Sequence, residues 1–392
     1  MIDFKSPANA IADELVALRR DFHKHPEIGF EEIRTAGIVV ERLQELGLEV
    51  RSGVGKTGVI GLLEGAKDGP TVLYRADMDA LPIQEKNAVG YRSVIRGKMH
   101  ACGHDAHVAV ALGLAKLFSQ HRDQMAGRIK FVFQPAEEIV AGAKAMIAEG
   151  ALENPRPDVC LGMHVWNNLP FGTVAVTDGP SMAGSSTFDL LITGKGGHAA
   201  SPHFAADPVV CAAQLITALQ TIPSRNIDPL ESAVLSVTEM KGSDAYNIIP
   251  EQVELAGTVR AFKIPVRDLI EDRMKKFSAS LCSALGCKAK FVIKHNTTPV
   301  ANHPDVAPRV RAAFSRMMDP AKIVTNERTM GSEDVGLFMS DIPGVFAFIG
   351  SANAEQGLNY SHHHQRFDID ERVLPFSVAL MATAIADYIM PR

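Results

Sequence analysis

The sequence predicts an α/β protein: a mainly parallel sheet flanked by helices, interrupted by an inserted α+β unit. Three observations predict it. In the first 166 residues, short β-rich runs alternate with helical patterns, the signature of a parallel sheet with crossover helices. Near Met182 that rhythm breaks, and it resumes only after about residue 294. Acidic and imidazole side chains gather at the ends of the expected strands, where sheets of this kind place their ligands: Asp77 and Asp79 after one, Glu137 and Glu138 after the next, His164 after a third.

In chain order, helical patterns cover about 8–23 and 31–46, followed by the strands "VIGLLEG" and "TVLYRADMD". A helix follows Asp105, which is expected to cap it. Then come the strand "RIKFVFQP", the helix "GAKAMIAEGAL" and the strand "DVCLGMHVW". The inserted segment reads as two strands, a helix, two strands and a helix. The α/β texture returns through "SEDVGLFMSD", the strand "VFAFIGS" and a closing helix at 371–389. The expected organisation is therefore a catalytic domain from residues 1–181 and 295–392, with a lid or dimerisation domain at 182–294. No internal repeat or low-complexity linker interrupts it.

A hydrophobic share of 46% and a charged share of 22% are those of a water-soluble globular chain. A net charge of -5, with no long Lys/Arg block, gives no signal for nucleic acid. No segment reaches the ~20 apolar residues of a membrane span, and the N-terminal stretch lacks a basic start followed by an apolar core. A cytoplasmic location is the expectation. Cys102, Cys160, Cys211, Cys282 and Cys287 are odd in number and scattered, which argues for reduced thiols rather than a disulfide framework.

The stretch "MHACGHDAHVA" at 99–109 places Cys102 and His104 two residues apart in a glycine-containing turn before a helix. A soft thiolate beside an imidazole is metal-ligand chemistry or a Cys/His nucleophile pair. With the pair Glu137 and Glu138, His164 and the triple His362, His363 and His364, the chain offers S, N and O donors enough for two divalent ions. Zinc and manganese both accept such a set, and nickel or cobalt are further options. Adjacent glutamates divide labour beside an ion: one binds it, while its neighbour takes the proton of the attacking water.

Eight stretches occur in order, "LRRDFHKHPEIGFEE", "YRADMDALPIQE", "MHACGHDAHVA", "FVFQPAEE", "GMHVW", "GKGGHAASPH", "NIIPEQVELAGTVRAF" and "GSEDVG". Through them the chain resembles, from end to end, the dinuclear metal amidohydrolases. That group includes hippurate hydrolase, bacterial N-acyl-amino-acid amidohydrolases and plant indole-acetyl-amino-acid hydrolases, within the aminoacylase and carboxypeptidase metallopeptidases. The resemblance implies metal ligands at Cys102, bridging both ions, His104, Glu138 and His164, with Glu137 as general base and Asp79 orienting a metal-site residue. It implies a C-terminal ligand four residues before an aromatic; Phe367 stands four after His363, so His363 is chosen, although Gln365 replaces the usual proline. In the inserted domain it implies that His198 polarises the scissile carbonyl, often from a partner subunit, and that Asn247 and Arg260 hold the substrate carboxylate.

The activity so implied is hydrolysis of an N-acyl-amino acid to a carboxylic acid and a free amino acid, in a homodimer or homotetramer that binds neither nucleic acid nor membrane. A dipeptidase or carboxypeptidase acting on short peptides is the alternative within the same chemistry. A Cys102 nucleophile with His104 or His107 as base explains one motif and leaves Glu137, Glu138, His164 and His363 without a role. A metal-stabilised binding protein is the non-catalytic reading, and the presence of Glu137 speaks against it.

Overall fold

The computed structural model describes residues 3–243 and 245–390, in two compact units. The first comprises Met1–Ser181, Ala301–Glu327 and Asp334–Arg392; the second comprises Met182–Val300 and Arg328–Glu333.

An eight-stranded sheet forms the first unit, in the order Glu49–Val54, Gly58–Glu64, Ala126–Gln134, Lys67–Asp77, Val159–Pro170, Gly344–Ala352, Val174–Ala175, Ile323–Val324. Its four central strands, from Ala126–Gln134 to Gly344–Ala352, run parallel, and antiparallel pairings flank them. Side chains alternate across it, as the pleat requires. Val72, Tyr74, Phe131, Leu161 and Met163 join the larger core with the helices Ala12–Lys24, His104–Ser119, Val306–Phe314 and Val373–Ile389. Leu73, Val132 and Cys160 face the other way, onto Met146 and Phe338 of the short helices Gly142–Ala148 and Val335–Phe338. The helix His104–Ser119 buries every residue but Lys116 and Ser119, so its apolar run "AHVAVALGLAKLF" marks a helix covered on all sides rather than an amphipathic one.

Three sequence expectations shift. The first expected helix is two, Lys5–Ala10 and Ala12–Lys24, separated at Ile11. Asp105 is not the cap: the helix starts at His104 with Gly103 as N-cap, and the Asp105 carboxylate turns inward to Arg19 and His23. The strand expected to end near His164 continues to Pro170: its pairing with Lys67–Asp77 stops at Gly162, while His164 itself stays paired in parallel with Phe348 of Gly344–Ala352.

In the second unit, Gly184–Thr193, Ala233–Lys241, Gln252–Ala261 and Lys288–His295 form an antiparallel sheet under the helices Pro208–Leu219 and Ile264–Ala284. This unit outruns the expected limit at 294 because Lys288–His295 closes the sheet against Gly184–Thr193. The next residues stay bound, with Asn296 N–H and Thr297 N–H donating to the Ser185 carbonyl. The segment 328–333 belongs here too: Arg260 Nη1 donates to the Met330 carbonyl at 3.0 Å and to Ser332 Oγ at 3.3 Å.

Gly103 adopts φ 97°, and a Cβ there would lie 2.3 Å from Val165 Cγ2. Only glycine meets both conditions. Gly103→Ala is expected to destabilise the chain by about 1–3 kcal/mol through overpacking and left-handed strain, read as a lower denaturant midpoint. Adding Val165→Ala should recover the steric share and leave the backbone share; an unchanged midpoint in the single variant would contradict this account.

Candidate functional site

The sequence places its ligand-type residues in segments that leave the parallel strands at one edge of the sheet. Asp77 ends its strand and Asp79 follows; Glu137 and Glu138 follow the strand ending at Gln134; Cys102 and His104 lead into the buried helix. Each imidazole is oriented by its second nitrogen. His104 Nδ1 donates to the Asp79 carbonyl at 2.9 Å, which turns Nε2 toward Glu138 Oε1. His164 Nδ1 donates to the Val165 carbonyl at 2.6 Å, which aims Nε2 at Cys102 Sγ, 3.5 Å away.

Two groups of donors share Cys102. One is Cys102, His104 and His164; the other is Cys102, Glu138 and His363, and in each the donor atoms lie within 4.8 Å of one another. His363 Nε2 stands 3.4 Å from Glu138 Oε2. A third group, His104, Glu137 and Glu138, overlaps both. Asp79 positions rather than joins: its Oδ2 accepts the Glu138 backbone N–H at 2.9 Å, and its Oδ1 lies 3.3 Å from His104 Nδ1.

The donor set fits divalent cations on its own polar accounting. His104 Nε2 and Glu138 Oε1 are buried, 4.0 Å apart, and neither has a hydrogen-bond partner among the described residues. A cation would satisfy both. Burial opposes charge on His104, yet the carboxylates of Asp77 and Asp79 prevail and hold its pKa up at about 10. Burial, with the Asp79 carboxylate, pushes Glu138 up to about 7. His164 stays neutral, held down by burial and by His107 and His362 beside it.

The three consecutive C-terminal histidines separate by environment. His362 is not solvent-facing: its ring stacks on Trp166, its Nε2 accepts the Asn167 N–H at 3.2 Å, and burial pushes its pKa down to about 3. Its Nδ1 is 4.0 Å from Cys102 Sγ. His364 stacks on Tyr360, and its Nδ1 accepts the Arg366 N–H. His363 takes a left-handed backbone with φ 65°, and its N–H donates to the Ala101 carbonyl, which turns its side chain toward Glu138.

Beneath this set lie Asp77, which the sequence placed at a strand end, His107, which it weighed only as a base for Cys102, and Asn167, which it did not single out. Asp77 accepts from His107 Nδ1 at 2.5 Å and from Arg75 Nη1 at 2.6 Å, and His107 Nε2 accepts the Val165 N–H at 3.0 Å. Both His107 nitrogens are thereby committed, so His107 cannot serve Cys102 as a base. Asn167 holds the histidine loop through the carbonyls of Tyr360 and Asp368. The sequence signal for Asn167 is a polar residue directly after the apolar strand run that ends at Trp166.

In the second unit, Gly197–His198 pairs with Ile248–Ile249, and Ala199 N–H donates to the Asn247 carbonyl, so His198 and Asn247 share one short ribbon. His198 is exposed, and its Nδ1 accepts the Ala200 N–H at 3.0 Å. The neutral ring therefore carries its proton on Nε2. Arg260 lies on Gln252–Ala261, tied to 330–332 as described above.

Comparison with known proteins gives a match to the model of peptidase family M20/M25/M40 over residues 73–387. Thermostable carboxypeptidase 1 of Saccharolobus solfataricus is 38% identical over 375 residues, covering 94% of each chain. The N-acetylcysteine deacetylase of Bacillus subtilis is 38% identical over 366 residues, covering 93% of this chain and 94% of that one. A crystal structure from Bacillus subtilis, described as a dinuclear metal binding peptidase from the M20 family, superposes with a TM-score of 0.85 at 34% identity, over 97% of this chain and 99% of that one.

Under the site, His23 donates to Asp105 at 2.7 Å and to Glu85 at 3.3 Å. Burial and Arg19 oppose its charge, but the two carboxylates raise its pKa from 6.5 to about 9. A group raised on folding contributes stability that is complete below its unfolded pKa and is lost as pH rises through the folded one. The stability difference between wild type and His23→Gln should therefore be full below about pH 6.5 and shrink through pH 9, as measured by urea unfolding across that range. A difference that does not change with pH would remove His23 from this role.

Proposed function

This chain belongs to peptidase family M20/M25/M40, and from that footing we propose that it is a metal-dependent amidohydrolase that splits N-acyl-amino acids into a carboxylic acid and a free amino acid. The observation that carries the reading is the sharing of Cys102 between two groups of donors, which suits a thiolate bridging two ions. His104 and His164 would complete one group, Glu138 and His363 the other. His363 is favoured over His362 because its Nε2 reaches Glu138, while the His362 Nε2 is occupied by the Asn167 N–H. Two divalent cations at these donors would lower the pKa of the attacking water and polarise the amide carbonyl. Zinc and manganese both suit the mixture of thiolate, imidazole and carboxylate.

The chain's own groups then carry the proton and the substrate. Glu137 takes the proton of the attacking water and delivers it to the leaving nitrogen, which cannot depart as an amide anion. His198 donates from Nε2 to the carbonyl oxygen as negative charge develops on it. Arg260, a guanidinium fork, and Asn247 hold the carboxylate of the amino-acid part. The second unit acts on this reading as a lid and a dimer-forming surface, which supplies these contacts and excludes water. A reducing, cytoplasmic setting is part of this proposal, on the odd number and scattered spacing of the five cysteines.

The test is a panel of N-acetyl, N-benzoyl and N-indole-acetyl amino acids beside free dipeptides, assayed before and after chelation. Turnover of N-acyl-amino acids should vanish on metal removal and return with Mn²⁺ or Zn²⁺. Undiminished activity in metal-free protein would overturn the reading, and turnover confined to dipeptides would select the peptidase alternative. The glutamate pair should respond unequally: Glu137→Gln keeps its metal and loses roughly 10²–10⁴ in kcat, whereas Glu138→Gln loses metal. Equal metal loss in both variants would exchange or cancel their roles.

A further inference from the structure

Apart from the cysteine-centred groups, a separate set of donors gathers at the surface of the second unit, with Asp268 and His295 exposed and Glu271 buried between helix and strand. Asp268 and Glu271 lie one turn apart on the helix Ile264–Ala284, and His295 ends the strand Lys288–His295. His295 falls on the same side of its strand as Ala289, Phe291 and Ile293, the residues that pack into the core of this unit beneath the helix. The carboxylate oxygens and imidazole nitrogen of the three residues lie within 4.8 Å of one another.

Glu271 is the informative member. It is only 6% exposed, yet just one of its oxygens is satisfied: Oε2 is 2.9 Å from His295 Nε2, while Oε1 is buried without a hydrogen bond. Its nearest cation, Arg267 Nε, stands 3.7 Å away, beyond hydrogen-bond length, and the guanidinium is already engaged by Asp268 Oδ1 at 2.9 and 3.2 Å. The ion pair with Arg267 offsets the charge of Glu271 but supplies Oε1 with no hydrogen bond. Directly opposite His295 in the strand register, Ser186 Oγ is a second buried polar atom with no hydrogen-bond partner among the described residues.

From this geometry we infer that the second unit carries a structural divalent-cation site formed by Asp268, Glu271 and His295. One imidazole nitrogen with two carboxylates is a donor set for zinc, with water completing a four-coordinate shell, and is too nitrogen-bearing to favour calcium or magnesium. Binding satisfies Glu271 Oε1 and joins a helix to the strand that follows it across residues 285–287. It therefore stabilises this unit only in its folded form. The inference is independent of the proposed catalytic centre.

The test uses full-length protein stripped of metal, reloaded with zinc and passed through gel filtration before metal analysis. Wild type should retain one equivalent more than His295→Ala or Glu271→Gln, and zinc should raise the unfolding temperature of wild type more than that of either variant. His295→Gln, which can still hydrogen-bond Glu271, separates loss of the ion from loss of that contact: it should fold as wild type does and still lack the equivalent. Repeating the count in a His104→Ala background should lower the totals but preserve the one-equivalent difference, so a failure of the catalytic-centre reading is distinguishable from a failure of this one. Equal zinc content and equal zinc-dependent shifts in wild type and all three variants would overturn the site.

Discussion

The buried guanidinium of Arg19 is the constraint on which the site depends. It donates to Asp105 at 2.8 Å, to Asp368 at 2.7 Å and to Glu371 at 3.3 Å, and is itself fully enclosed. Asp105 adjoins His104 at the start of the buried helix, and Asp368 follows the loop that carries His363. One cation thus fixes a helix start and a loop that are far apart in sequence. A guanidinium in that setting must keep every partner, because removing one leaves an uncompensated charge at a cost of about 3–5 kcal/mol. The same requirement makes His23 a cation and keeps the Asp105 carboxyl ionised well below the usual range, since burial would otherwise neutralise it.

A second layer of carboxylates orients the donors. Asp77 is buried, which would raise its pKa, but Arg75 beside it and the imidazoles of His104 and His107 hold it well below the ordinary carboxylate range. It fixes His107, which in turn holds the Val165 N–H and packs edge-on against His164 at 4.6 Å between ring centres. Asp79 fixes His104 through its carbonyl and Glu138 through its carboxylate. His104, His164 and Glu138 are thus each held in one direction by a hydrogen bond to the surrounding chain. That preorganisation is what a metal centre requires of its surroundings.

The two units solve different problems. Parallel strands buried on both faces give the first unit a rigid edge from which short segments project donors. The second unit sets helices on one face of an antiparallel sheet and adds a separate two-stranded ribbon, Gly197–His198 with Ile248–Ile249, on which His198 is exposed. Among the described residues no helix is long and apolar enough to cross a membrane.

Much of this was legible in the sequence because it is written locally. Alternation of strand and helix patterns gives the layered architecture, and the spacing of Cys102 to His104 and of Glu137 to Glu138 places donors at strand exits. Resemblance along eight motifs supplied the chemistry of those positions. What the sequence could not decide is anything set by partners distant in the chain. Asp105 looked like a helix cap because capping is a local rule, yet a buried arginine 86 residues away claimed its carboxylate. His362, His363 and His364 are alike as letters; Trp166 and Asn167 take the first, Tyr360 the third, and a left-handed backbone turns the second toward Glu138. Local sequence determined which groups this protein carries and on which elements. Tertiary packing decided which of them face one another, because burial leaves a polar atom no water to bind and each must find its partner across the fold.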